Sequence, residues 1–211
     1  MADRPVVNPP TQPDRLRAQW QTLLPGQPEL GEELLRRWSE PHRHYHGLEH
    51  LADALGALTL LCPANRAESL AVWFHDAVHT GTAGPDEQHS SELAASSLRD
   101  AGLPPAEITE VARLVLVTIA HSPAPHDHAG ARVSDADLAV LGADAERYAA
   151  SVAQLRQESL LDDAGWRTAR LTRLESLLAT PRLFHTVVGH KRWEAAARAN
   201  LTAERDDLLA R

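Results

Sequence analysis

The string Trp73-Phe74-His75-Asp76 sets an imidazole and a carboxylate side by side at the end of an apolar run. Removing both from water is costly unless something pairs with them, and a divalent cation would do so. Upstream, His46 and His50 are four residues apart. On a helix that spacing puts both rings on one face, toward one ion, or one toward the ion and the other toward a substrate. A solvated, histidine-rich helix start would look the same, but His50 runs directly into apolar Leu51-Ala52, which favours a ligand there. The alternative for His75 is a core histidine bonded to its neighbour's carboxylate. A further carboxylate is expected from a distant element, and Val133-Ser134-Asp135-Ala136-Asp137-Leu138 offers two. Asp at a helix start is an ordinary N-cap; Asp135 fits that position and Asp137 fits the ligand. Mixed nitrogen and oxygen donors suit Mn, Fe, Co, Zn or Mg. With 12 His in 211 residues, most of them between positions 42 and 128, a metal-dependent enzyme is the leading expectation.

The elements that must position these residues read as helix after helix. Apolar residues recur at helical spacing over 14–24 and 30–38, separated by the breakers Pro25-Gly26-Gln27-Pro28, and again over 48–61. Residues 67–77 are almost wholly apolar, as in a helix buried on most sides. A loop at 81–85 precedes a helix over 87–101, closed by Gly102, and another over 106–120. A loop over 122–130 leads to a short helix at 136–141, with the second half of the chain completed by helices over 145–161, 165–178 and 193–209. No stretch alternates as a strand would. The expectation is all-α, one helical-bundle domain over 14–211 behind a proline-rich, disordered arm at 1–13.

Bulk properties narrow the partners. A formal net charge of −8 argues against a broad basic surface for a nucleic-acid polymer or an anionic membrane, yet leaves room for a nucleotide held by a few cations and a metal. Cys62, the only cysteine, rules out an intramolecular disulfide and, beside Pro63, is expected to be a small buried residue or turn neighbour rather than a nucleophile. The N-terminal stretch has no apolar run resembling a signal peptide, and the longest apolar candidate, 111–120, is too short to span a bilayer. A cytoplasmic location is expected. The chain has no Walker-type loop, nucleophile elbow or Cys-x-x-Cys pair.

Taken in order, His50, His75-Asp76 and Asp137 resemble the H…HD…D signature of the HD-domain superfamily of metal-dependent phosphohydrolases. The chain is more similar still to a small bacterial subgroup of predicted HD phosphohydrolases, often labelled after an NMDA-receptor subunit. The shared features are Arg43-His44-Tyr45-His46 with His50, the 73–78 string, Thr118 with His121, and Asp135-Ala136-Asp137-Leu138 through Gly142. Glu194, Arg198-Ala199-Asn200-Leu201 and Glu204 extend the likeness, which covers roughly 14–205. Three positions depart from the pattern: Asp86-Glu87 stands for Asn-Glu, Ser91 for Ala, and His79 for a common Tyr.

The resemblance implies that His50, His75, Asp76 and Asp137 hold one octahedral divalent ion, and that water activated there hydrolyses a phosphomonoester or nucleotide. It suggests Glu87 as the group that orients or deprotonates the water, an ordinary first-turn helix acid being the alternative. Arg43 would clamp phosphate through its fork of donors, unless it is a plain surface arginine. His121 and His89 occupy positions that serve a second ion in two-metal relatives; His121 is expected to line the site and His89 to face solvent. His46 and Asp135 would support the ligands or that second ion. The expected partner is a small phosphorylated substrate. A rival reading is a sensor that keeps the site to bind metal or nucleotide without turnover.

Overall fold

Thr11 starts the first helix. Its side chain accepts the Asp14 N–H while the Asp14 carboxylate takes the Thr11 N–H at 3.1 Å, a reciprocal cap that leaves α1 running from Gln12 to Leu23. The helix therefore begins inside the stretch expected to be an arm. The computed structural model describes residues 9–61, 63 and 65–210, so residues 1–8 of that arm and the Cys62 expectation lie outside the described residues. Nine more α-helices follow among them: α2 (Pro28–Trp38), α3 (Leu48–Leu61), α4 (Arg66–Phe74), α5 (Pro85–Asp100), α6 (Pro105–Ala120), α7 (His128–Asp137), α8 (Ala145–Glu158), α9 (Asp163–Ala179) and α10 (Val187–Ala210). A 3-10 turn, Leu138–Gly142, extends α7. No strand occurs among the described residues, and none of the helices is long and apolar enough to cross a membrane.

The apolar run at the centre of the chain forms the centre of the fold. Leu70, Ala71, Val72, Trp73 and Phe74 of α4 are all buried, and α4 touches α1, α3, α5, α6 and α7. Asn65 caps its start, with the side chain accepting the Glu68 N–H at 2.9 Å. Tryptophans fill the space that few other aromatics are present to take: Trp20 and Trp73 meet edge to face at 5.1 Å, and Trp38 Nε1 donates to the Trp73 carbonyl at 3.0 Å. Glu68 is fully buried on α4 and pairs with Arg132 of α7, whose Nε donates at 3.0 Å. That pair pins α7 against α4 and brings the end of α7 beside the end of α4.

Two local expectations are corrected. Residues 128–130, expected in the loop, are helical, and α7 starts eight residues before the expected 136, with Asp127 as its cap, accepting the Gly130 N–H at 2.9 Å. Its buried face, Gly130, Val133, Ser134, Asp135 and Ala136, is largely polar or small, so no hydrophobic period announces it. Asp135 and Asp137 consequently stand at the C-terminal end of α7, and Asp135 does not cap a helix starting at 136. His46 lies in the turn before α3 rather than on it, so it does not share a helix face with His50.

Candidate metal centre

Three elements bring His50, His75 and Asp137 together, with Asp76 beside them. His50 comes from the first turn of α3, His75 and Asp76 from the residues just past α4, and Asp137 from the last residue of α7. His50 Nε2 and His75 Nε2 lie 3.1 Å apart. Asp137 Oδ1 is 3.0 Å from His50 Nε2 and 3.4 Å from His75 Nε2. Asp76 Oδ2 is 3.1 Å from His75 Nε2 and 3.7 Å from His50 Nε2. Ligands on one ion with bonds of about 2.1 Å are separated by about 3.0 Å in an octahedron and about 3.4 Å in a tetrahedron. The separations among His50, His75 and Asp137, and that of Asp76 from His75, fall on those edges, while Asp76 stands slightly wider from His50 at 3.7 Å. Both imidazoles are buried, and His75 Nδ1 donates to the Val72 carbonyl at 2.8 Å, which turns Nε2 toward the other donors. Trp38 packs against both rings, at 5.3 Å from His75 and 6.1 Å from His50. His50, His75 and Asp137 are thus a group able to hold a metal ion, with Asp76 adjoining.

The neighbours fix this arrangement rather than join it. Arg43 was expected to clamp phosphate, but its side chain is 0% exposed and its donors are committed. Nη1 donates to the carbonyls of Asp76 at 2.6 Å and His46 at 3.1 Å, Nη2 to Ala77 at 3.2 Å, and Nε to Glu40 at 3.1 Å. The guanidinium also lies over Trp38 at 5.6 Å. Arg43 is the strut that holds the turn carrying Asp76. Asp135 is similarly occupied: its oxygens accept the N–H of His185 at 2.7 Å and of Thr186 at 2.8 Å, and the Thr186 hydroxyl at 2.7 Å. It anchors the start of α10, where a Cβ in place of Gly189's hydrogen would overlap its carboxylate. His121, in the left-handed region at φ 48°, ends α6 and reaches the rim of the centre, with Nε2 3.6 Å from Asp137 Oδ2. His89 is exposed, as expected.

A cleft of about 470 Å³ opens beside Asp76, walled by His46, His79, Glu87, Glu158 and the 80–83 loop. Glu87, in the first turn of α5, commits one oxygen to the Gly84 N–H at 2.5 Å while still lining this cleft. A larger hollow of about 720 Å³ lies between α1, α3 and α4, but no His, Asp or Glu lines it, so the chemistry belongs to the smaller one. Glu158 had no signal in the sequence. At the end of α8, it accepts the N–H groups of His44, Tyr45 and His46 at 2.7–2.8 Å and meets His46 Nδ1 at 2.6 Å. Its partners are more than a hundred residues away, so only the tertiary fold reveals it.

Electrostatics follow from the packing. Burial pulls the His75 imidazole down, but Asp76 and Asp137 outweigh it and hold its pKa well above the ordinary value. Burial raises Asp137, but His75 and His50 outweigh that and hold it well below the carboxylate range. Burial carries His121 and His79 down to about 4, leaving both rings neutral at physiological pH. A proton on His75 and a divalent ion satisfy the same two carboxylates. Ion uptake near neutral pH should therefore release about one proton from His75, and apparent affinity should rise about tenfold per pH unit below its pKa. The raised His75 pKa stabilises the chelated protein fully below the unfolded value of about 6.5, and this is lost as pH rises through the folded value. Asp137 contributes in the opposite sense, with stability present above about 3.9 and lost as pH falls through its lowered pKa. Melting of chelated protein should thus decline from near neutral toward alkaline pH, and saturating metal should remove that decline.

Comparison of the chain with protein-family models, with curated proteins and with solved structures finds no match. The possible metal-binding groups are therefore established by geometry alone.

Proposed function

We propose that this chain is a metal-dependent phosphohydrolase of the HD type, acting on a phosphomonoester or nucleotide. The observation that carries the reading is the convergence of His50, His75, Asp76 and Asp137, in the chain order H…HD…D, at separations suited to one ion beside an open cleft. A divalent ion bound there would lower the pKa of a water molecule and stabilise charge developing on a phosphate. The protein's own contributions are distinct from the ion's. Val72 fixes the His75 tautomer, Trp38 excludes water behind both rings, and Arg43 holds the backbone of the Asp76 turn. With Arg43 committed, Arg173 on α9 is the cation this reading turns to for a substrate phosphate, on the strength of its interaction with Asp137 rather than a place in the cleft wall. It is exposed, makes no hydrogen bond or ion pair among the described residues, and interacts electrostatically with Asp137.

The test is a screen of nucleoside mono-, di- and triphosphates and simple phosphomonoesters with Mn, Co, Zn or Mg added, using Asp76→Ala as control. Activity should vanish with chelator, return with a suitable ion, and be absent from Asp76→Ala. A nucleotide that binds at the site without turnover under any metal would replace the enzyme reading by the sensor reading.

A further inference from the structure

The second histidine cluster has no part in the four-donor centre. We propose that His46, His79 and Glu158 form a second, weaker binding site for a divalent transition-metal ion on the wall of the same cleft. The site requires ion binding only, and does not rest on the proposed hydrolysis.

Glu158 is held as a ligand should be. One carboxylate oxygen accepts three consecutive backbone N–H groups, from His44, Tyr45 and His46, which fixes the plane of the carboxylate. The other oxygen faces two imidazoles, 2.6 Å from His46 Nδ1 and 3.7 Å from His79 Nε2. His79 makes no side-chain hydrogen bond among the described residues. Its ring is oriented by stacking instead, at 4.2 Å on His46 and 6.2 Å on His42. The three donor atoms lie within 4.8 Å of one another, and all three side chains line the cleft. Two imidazole nitrogens and one carboxylate oxygen are a donor set that Zn, Co or Mn accepts while keeping positions open for water.

The adjustment required is small. With bonds of about 2.1 Å and ligand separations of about 3.0 Å, His46 and Glu158 would part by about 0.4 Å and His79 would close by about 0.7 Å. Binding also displaces the hydrogen between His46 and Glu158. With three protein donors against four, the second ion is held less tightly than the first. The His46 and His50 rings are 5.9 Å apart, and Asp76 lines the same cleft, so the two sites flank a single space open to an anionic ligand.

Equilibrium dialysis of the full chain against Co²⁺, with elemental analysis and visible absorbance, tests this. Two equivalents are expected at saturation, with the second weaker. His79→Ala, which removes no hydrogen bond, should retain the tight equivalent and lose the weaker one. His50→Ala combined with His75→Ala should do the reverse. Glu158→Gln, which keeps an oxygen for the backbone N–H groups, provides the same reading as His79→Ala if that variant folds poorly. A single equivalent in the wild-type chain would overturn the proposal. So would a second equivalent that survives both His79→Ala and Glu158→Gln, since it would then belong to exposed rings such as His44 or His89.

Discussion

Replacing His75 and Asp76 together by alanine is expected to abolish high-affinity binding at the four-donor centre and all metal-dependent turnover, while leaving a helical circular-dichroism spectrum. His75 is the C-cap of α4 and Asp76 follows it, and alanine keeps both backbone N–H groups, so the helix itself is expected to persist. What disappears is one imidazole nitrogen and one carboxylate oxygen at 3.1 Å from each other. Asp137→Asn should follow the same course with less disturbance. A neutral amide binds a divalent cation weakly, and the two buried imidazoles lose the carboxylate that lies 3.0 and 3.4 Å from them. Affinity should fall by on the order of 100-fold or more, read by calorimetry or dialysis. Asp135 offers no rescue, because its oxygens are already bound by His185 and Thr186. Wild-type affinity in Asp137→Asn would remove that residue from the centre.

Arg43→Ala is expected to be the most destabilising single change around the site. It leaves the carbonyls of His46, Asp76 and Ala77 without the donors they now have, and empties the face of Trp38. Breaking buried polar contacts of this kind costs on the order of 3–5 kcal/mol. Because the same donors hold the Asp76 turn, metal affinity should drop together with the melting temperature. A phosphate clamp behaves differently: its loss raises the Michaelis constant and leaves stability unchanged. Thermal melts and metal titrations on one preparation of Arg43→Ala separate the two roles. A variant with wild-type stability and metal affinity but weaker substrate binding would restore the clamp.

Much of this arrangement was legible in the residues themselves. The adjacent His75-Asp76 pair, the apolar start after His50 and the choice of Asp137 over Asp135 each depend on local pattern, and the structure places His50, His75 and Asp137 in one group able to hold an ion, with Asp76 next to His75. Helices with a clear apolar stripe were found within a few residues of their observed ends. Where the buried face is polar, the pattern fails. α7 turns Ser134 and Asp135 inward, so the pattern misses its start and places the helix only from 136. α10 starts six residues before the stretch 193–209 because Asp135, from another helix, secures its N-terminus. Arg43 shows the same limit in a single residue. Its type and position suit a phosphate, but its direction is set by carbonyls from a turn more than thirty residues away. Glu158 is the extreme case, since each of its partners is brought to it by folding alone.

The central claim is that one ion is held jointly by His50, His75, Asp76 and Asp137. Anomalous diffraction from crystals loaded with Mn or Zn tests it most directly. The account predicts a peak about 2.0–2.3 Å from His50 Nε2, His75 Nε2 and one oxygen each of Asp76 and Asp137. Strong peaks elsewhere, with none among these four side chains, would contradict it.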